Sequence, residues 1–350
     1  MGTVVRLDAP RSVSLAEEPD SPPGPTGVRL RTLYSGISAG TEMTQYRGTN
    51  AHFVKTWDPD LRLFVPGQPT AGYPAVVGYE EVGEVVEVGE DVTAVQPGQV
   101  VWGTWGHRST AVVEESYAAD RVLDPRADPV LGIFSHIGAV ALNVVLDADI
   151  HVGETVVVFG LGVVGQIVAQ LARLNGARIV AVDAIPHRLE LAGRLGADET
   201  LDARVGGVAE QVRVLTGGRG ADVALDVSGN PQALNEAVRT VAYNARVVAG
   251  GFYQGEARGL LLGEEFHHNR VDLVCSQISG VAPGLSHRWD RRRLNTTVID
   301  LAVAGRLLLR PLVSHVLPVE EAASAYELID TRPEQVTQVV LRFTAPPAVG

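Results

Sequence analysis

The chain has 350 residues, 45% of them hydrophobic and 20% charged, and a formal net charge of −12. That length exceeds one typical domain, so two are expected, and the composition suits a packed globular protein rather than a disordered one. The acidic balance argues against a nucleic-acid partner, which needs clustered Lys and Arg.

Taken from its start, Met1-Gly2-Thr3-Val4-Val5-Arg6 shows no charged-then-apolar leader pattern. The first 125 residues are rich in valine and glycine. The run from Val82 to Gly89 alternates in part, and Val100-Val101-Trp102-Gly103 follows a Pro97-Gly98 turn. Short strands punctuated by Gly and Pro predict a compact β-rich domain. From Thr155 the pattern becomes strand, glycine turn, helix, strand. Strands are predicted at 155–159, 179–182, 222–227, 245–249 and 271–275, and helices at 163–174 and 187–195. That alternation is the mark of a doubly wound parallel α/β sheet. Cys275 is the only cysteine, which excludes an internal disulfide and a zinc site built from several thiolates. The basic run Arg291-Arg292-Arg293 sits beside Asp290 at the head of a helix-like segment and reads as a solvated face. The tail holds helix-like stretches at 294–304 and 319–329 and strands at 312–317 and 336–343; pattern alone leaves open whether it is its own element or returns to the first domain. No stretch reads as the roughly 20 apolar residues that span a bilayer, so a cytoplasmic chain without a membrane partner is expected.

The strongest motif is Gly160-Leu161-Gly162-Val163-Val164-Gly165. Alone it is weak, but here a strand precedes it, a helix follows, and an acidic residue closes the next strand. The first glycine permits a tight turn, the second admits a pyrophosphate, and the third lets the helix pack on the strand. The helix N-terminus then offers free N–H groups to the phosphates. Asp183 stands where a carboxylate accepts from the adenosine ribose hydroxyls and repels a 2′-phosphate, so NAD(H) is expected over NADP(H). Arg188 is close enough to stack on adenine or to neutralise a phosphate instead.

The blocks Tyr34-Ser35-Gly36-Ile37-Ser38-Ala39-Gly40-Thr41-Glu42 and Gly78-Tyr79-Glu80-Glu81-Val82-Gly83-Glu84-Val85, the glycine loop, the run from Ala221 to Gly229, Gly250-Gly251, and the run from Leu312 to Pro318 occur in one order. In that order the chain resembles the medium-chain dehydrogenase/reductase superfamily over essentially its whole length. Its Ser-Gly-Ile-Ser and Gly-Tyr-Glu variants are most similar to the branch of bacteriochlorophyllide hydroxyethyl dehydrogenases and threonine dehydrogenase-like members, whose substrates are not carried over. The resemblance implies a GroES-like catalytic domain at 1–130, a Rossmann domain at 131–284 and a return segment at 285–350, with the active site in the cleft between the domains. It also implies cofactor contacts at Ser228, Gly251 and Gln277 and a homodimer or homotetramer paired through the edge strand near Val271.

The departures from that family are specific. Zinc-dependent relatives carry Cys-Gly-Thr-Asp and Gly-His-Glu where this chain has Ser38, with an extra residue before Thr41, and Tyr79. A third ligand would fall near Gly132 or Ile133, and the four-cysteine lobe expected between about Trp102 and Ser116 is absent. Of the expected positions only Glu80 keeps a metal-binding type of side chain. His52, His107 and His136 have no paired spacing, so no zinc is expected. Hydride transfer to a carbonyl still builds charge on oxygen, which needs a Lewis acid or a placed proton donor. A hydroxyl is the substitute: by family position, Tyr79 and Ser38 near the nicotinamide, Thr41 as the relay hydroxyl, and Glu80 orienting Tyr79. Lys55 or His52 would supply the cation that lowers the phenol's pKa. The structural alternatives are a packed Tyr79, helix-capping hydroxyls at Ser38 and Thr41, and a structural carboxylate at Glu80.

The reading is a zinc-independent, NAD(H)-dependent oxidoreductase acting on a secondary alcohol or ketone of a small, hydroxylated substrate. The alternatives are a reductase of activated C=C or C=N bonds and a non-catalytic nucleotide-binding relative.

Overall fold

The computed structural model describes residues 1–343 and divides into two compact units. The first comprises Met1–His136 together with the chain from Val313 onward; the second is Ile137–Leu312.

In the first unit the long strand Gly27–Ile37 is central. It pairs antiparallel with Glu81–Val88, with Thr110–Glu114 and with the C-terminal strand Gln338–Arg342. Val100–Gly103 and Val313–Pro318 close the two ends of this sheet, and Gly2–Ala9 leads a separate three-stranded sheet. Half-buried antiparallel strands alternate apolar and polar residues, as the run near Val82 does only in part, its first three residues Glu81, Val82 and Gly83 all being buried. The core gathers Val5, Leu7, Ile37, Met43, Tyr326, Val339 and Leu341. The tail therefore returns to the first unit, and it does so in register: Val339 faces Ile37 and Val340 faces Gly36.

The second unit is built on six parallel strands in the order Glu199–Asp202, Arg178–Asp183, Thr155–Phe159, Ala221–Asp226, Val241–Ala249, Asp272–Cys275. This is the doubly wound dinucleotide-binding order. Thr155–Phe159 is buried along its whole length, because helices cover both faces of a parallel sheet.

Three expectations need correction. The return to the first unit begins at Val313, not at 285, and the first boundary falls after His136 rather than at 130. The helix Arg291–Val303 belongs to the second unit because Leu294 and Val298 are buried there. A side-chain carbon at Gly138 would collide with Val298, so that close packing depends on the glycine. The Gln170 amide also holds the backbone of Leu308 at both its N–H (2.8 Å) and its C=O (3.2 Å). Finally, Pro129–Ala148, at 20 residues, is long and apolar enough to cross a membrane, contrary to the sequence reading. Most of it is buried inside the protein, where it serves as a core helix.

Candidate active site: a hydroxyl cluster and a dinucleotide loop

The glycine loop has the geometry its sequence demands. Gly160 adopts φ +85°, and a side-chain carbon there would come within 2.7 Å of the Ser228 Cα. At Gly165 the same carbon would run into the Gly160 carbonyl oxygen. At Gly162 it would meet nothing within 4 Å, so the backbone lies open where a phosphate must approach. Gly162 caps the helix Val163–Leu174, of which Val163 is buried and Val164 partly so.

Asp183 closes the second strand, and its carboxylate holds the loop from below. One oxygen accepts the Leu161 N–H at 2.6 Å and the other the Ile185 N–H at 2.8 Å. A carboxylate oxygen has two lone pairs, so each retains capacity for a ribose hydroxyl. The Arg188 guanidinium lies 4.0 Å from Asp183; burial lowers its pKa and the Asp183 charge opposes that. Gln166, absent from the sequence reading, donates to the Leu161 carbonyl (3.2 Å) and the Arg188 carbonyl (2.8 Å).

Ser228 and Gly251 gather around Asp226. The Ser228 N–H donates to its carboxylate at 3.1 Å, the Gly251 N–H donates to its carbonyl at 3.1 Å, and the Tyr253 hydroxyl bonds the carboxylate. Gln277 lies in the loop after the last strand, where its side chain accepts the Ser279 N–H. Asn143 donates to the Gly280 carbonyl at 3.1 Å and to Ser276 at 3.3 Å, which ties this loop to the core helix. No sequence signal marked Asn143.

The hydroxyl cluster lies in the first unit. Ser35 pairs with Glu81, and the next rung is the Gly36 N–H on the Glu80 carbonyl at 2.7 Å. That pairing brings Ser38, just past one strand, to Tyr79, just before the other. The Tyr79 hydroxyl donates to Ser38 Oγ at 2.5 Å, with Thr41 near enough to influence its ionisation. Burial pushes the phenol far above its usual range; the Glu42 charge adds to this, while the bond to Ser38 opposes it. Neither the Ser38 nor the Thr41 hydroxyl caps the following helix, whose N-cap is Gly40.

No cation of the kind expected stands beside the phenol. Lys55 is exposed, and His52 bonds Thr70 and packs its ring on Phe64. The imidazole next to Tyr79 is that of His136, edge-on with ring centroids 5.0 Å apart.

Behind the cluster lies a buried ionisable network that the sequence did not reveal. Glu42 accepts the Ser38 N–H on one oxygen (2.9 Å), and on the other it meets His107 Nε2 (2.7 Å) and the Tyr326 hydroxyl (2.8 Å). His107 Nδ1 bonds Ser35, which donates to Glu81. Burial alone would lower the His107 pKa, but the Glu42 charge and bond together with Glu81 raise it. Glu80 does not bond the Tyr79 hydroxyl. Its carboxyl turns to Gln338 Nε2 at 3.2 Å, and its pKa is pushed up by burial, then by Glu42 and Glu81.

Two family models match the chain: the alcohol dehydrogenase GroES-like domain over residues 24–154 and the zinc-binding dehydrogenase over residues 163–291. The D-guloside 3-dehydrogenase of Shigella flexneri is 30% identical over 344 residues, covering 96% of this chain and 98% of that protein. The L-threonine 3-dehydrogenase of Saccharopolyspora erythraea is 28% identical over 376 residues, covering 98% and 99%. Among solved structures, the 2R,3R-butanediol dehydrogenase of Bacillus subtilis aligns with a TM-score of 0.79 at 20% identity, over 98% of this chain and 100% of that one. A zinc-binding dehydrogenase of Sinorhizobium meliloti, solved with NADP, aligns at 0.78 and 21% identity over 98% and 99%. The chain belongs to the medium-chain dehydrogenase/reductase family. It is an oxidoreductase of the alcohol-dehydrogenase type.

Zinc is implied by the name of one family model, and the residues present do not fit it. Ser38 and Tyr79 stand where the resemblance puts ligands, yet they are hydroxyls bonded to each other. Both His107 nitrogens are engaged, by Glu42 and Ser35. Among the described residues no group of three or more His, Cys, Asp or Glu is arranged to hold a metal ion.

Proposed function

We propose that this chain is a zinc-independent, NAD(H)-linked dehydrogenase interconverting a secondary alcohol and a ketone on a small, hydroxylated substrate of carbohydrate type. The observation that carries this reading is the 2.5 Å hydrogen bond from Tyr79 to Ser38, a pair of hydroxyls at the positions that resemblance assigns to metal ligands.

When bound, the nicotinamide supplies the hydride acceptor or donor. The proton is the task of the chain's own residues. Burial keeps the Tyr79 phenol neutral, so during ketone reduction it donates toward the oxygen as negative charge develops there. Alcohol oxidation is the reverse step and starts from the Tyr79 phenolate, whose proton has first gone to solvent; Ser38 would donate a hydrogen bond to that charge, and burial, which disfavours the phenolate, biases the cluster toward reduction. Asp183 supports NAD(H) over NADP(H), because a 2′-phosphate would meet a fixed carboxylate. The D-guloside dehydrogenase relative supports a glycoside or polyol substrate. The strand Asp272–Cys275 ends the parallel sheet, and a homodimer or homotetramer would form by pairing of that edge with a second copy.

The test is metal analysis of chelator-treated protein, combined with turnover of methyl D-guloside, L-threonine and 2,3-butanediol with NAD and with NADP. Turnover with NAD at substoichiometric zinc supports the proposal. Activity that disappears with the chelated metal and returns with zinc overturns it.

A further inference from the structure

Gln338 lies on the C-terminal strand, 1% exposed, and its amide reaches both loops that carry the hydroxyl pair. Its Nε2 donates to the Ile37 carbonyl at 3.1 Å and meets Glu80 Oε2 at 3.2 Å, as well as the carbonyl of its own neighbour Val339 at 3.1 Å. Ile37 immediately precedes Ser38, and Glu80 immediately follows Tyr79. One side chain therefore bonds the backbone next to Ser38 and the carboxyl side chain next to Tyr79.

Two oxygens in this contact lack partners. Glu80 Oε1 and Gln338 Oε1 are both buried with no hydrogen bond. A carboxylate left in this state is costly, because a buried charge needs a counter-charge and full hydrogen bonding. The titratable groups that act on Glu80 are the carboxyls of Glu42 and Glu81 and the phenol of Tyr79, none of them a cation; the His107 imidazole and the Tyr326 phenol bond Glu42 instead. His107 is also held by Ser35. A protonated carboxyl, in contrast, carries an O–H that needs an acceptor, and the amide carbonyl beside it is an acceptor lacking a donor. Gly36 makes room for the pair: a side-chain carbon there would collide with Glu80 Oε2 and come within 2.9 Å of Gln338 Nε2.

We propose that Gln338 is a positioning residue for the Tyr79–Ser38 pair and acts through Glu80, which is kept as a neutral carboxylic acid joined to the Gln338 amide by two side-by-side hydrogen bonds. One bond is the observed N–H to Oε2; the other is O–H from Glu80 Oε1 to Gln338 Oε1. Glu80 is then neither base nor metal ligand. The positioning role rests on the reading of Tyr79 and Ser38 as the proton-handling pair; the protonation of Glu80 does not.

The test uses the full chain and the variants Glu80→Gln, Gln338→Leu and Tyr79→Phe. Unfolded glutamate loses its proton near pH 4.3, so a neutral Glu80 releases a proton on unfolding between pH 5 and 8. The wild-type folding equilibrium should therefore weaken relative to Glu80→Gln by tenfold per pH unit. Wild-type minus Glu80→Gln infrared spectra at pH 7.5 should also show a protonated carboxyl stretch. Parallel stability curves without that band overturn the neutral acid. The C–O stretch of isotope-labelled Tyr79, assigned against Tyr79→Phe, reads the positioning. It should hold its place in Glu80→Gln, where an amide pair replaces the acid–amide pair, and shift in Gln338→Leu. A band unmoved in Gln338→Leu overturns the positioning role. Unimpaired turnover by Tyr79→Phe would instead sink the hydroxyl mechanism and leave the result for Glu80 standing.

Discussion

The Tyr79 phenol and the Ser38 hydroxyl, 41 positions apart in the chain, lie 2.5 Å from each other. General acid catalysis contributes typically about 10²–10⁴-fold. Tyr79→Phe should therefore lower kcat by about 10²–10³-fold while the protein stays folded, and Ser38→Ala should have a smaller effect. Because the two act as one unit, the double variant should lose little more than Tyr79→Phe alone. Steady-state kinetics on the three variants checks this, and additive losses would show that the residues act separately.

The Glu42–His107 contact, 2.7 Å with neither side chain more than 1% exposed, makes stability depend on pH. The folded-state pKa of His107 is raised. Its contribution is fully present below the unfolded value near 6.5 and is lost as pH rises through the folded value. Urea unfolding should show wild type losing stability relative to His107→Gln over that window, with a slope of up to about 1.4 kcal/mol per pH unit. Removing one partner of a buried pair costs about 3–5 kcal/mol, so the variant should also be less stable at pH 6.

Two glycines of the loop should behave oppositely. Gly162→Ala has open space around it and an ordinary φ of −64°, so thermal stability should change by less than about 1 kcal/mol while NADH binding weakens. Gly165→Ala meets the Gly160 carbonyl and should lose stability and binding together. Calorimetry alongside NADH fluorescence titration separates the two, and equal NADH affinity in wild type and Gly162→Ala would place the pyrophosphate elsewhere.

Asp183 both shapes the loop and faces the ribose position. Asp183→Ser should weaken NADH binding by tenfold or more, about 1.4 kcal/mol, and move the preference toward NADPH, with Arg188 nearby to meet the phosphate. An unchanged ratio of the two dissociation constants would show that this carboxylate does not select the cofactor.

Much of the second unit was legible in the sequence, because its signals are local. The pure apolar run Thr155–Phe159, the glycines after it and Asp183 at the next strand's end mark a parallel strand, a phosphate turn and a ribose contact within about one βαβ unit. The strand Glu199–Asp202 and the helices Val208–Leu215 and Pro231–Thr240 passed unseen. Glu199–Asp202 is short and half-exposed, so it lacks the apolar run that betrayed its neighbours. Periodicity marks the helix Arg291–Val303 but not the unit it belongs to, because it reports that a face is buried and not what it is buried against.

The sequence by itself determined the fold class, the dinucleotide loop and the loss of the expected cysteine and histidine ligands. Each of these is a matter of which residue stands at which spacing. Only the tertiary structure decided what took their place. The Tyr79–Ser38 bond depends on the register between Gly27–Ile37 and Glu81–Val88. The Gln338–Glu80 contact joins residues 258 positions apart, and Glu42 meets Tyr326 across 284. Such contacts follow from strand pairing and the return of the chain's end, and a one-residue slip of the strand Gln338–Arg342 would turn the Gln338 side chain to the opposite face.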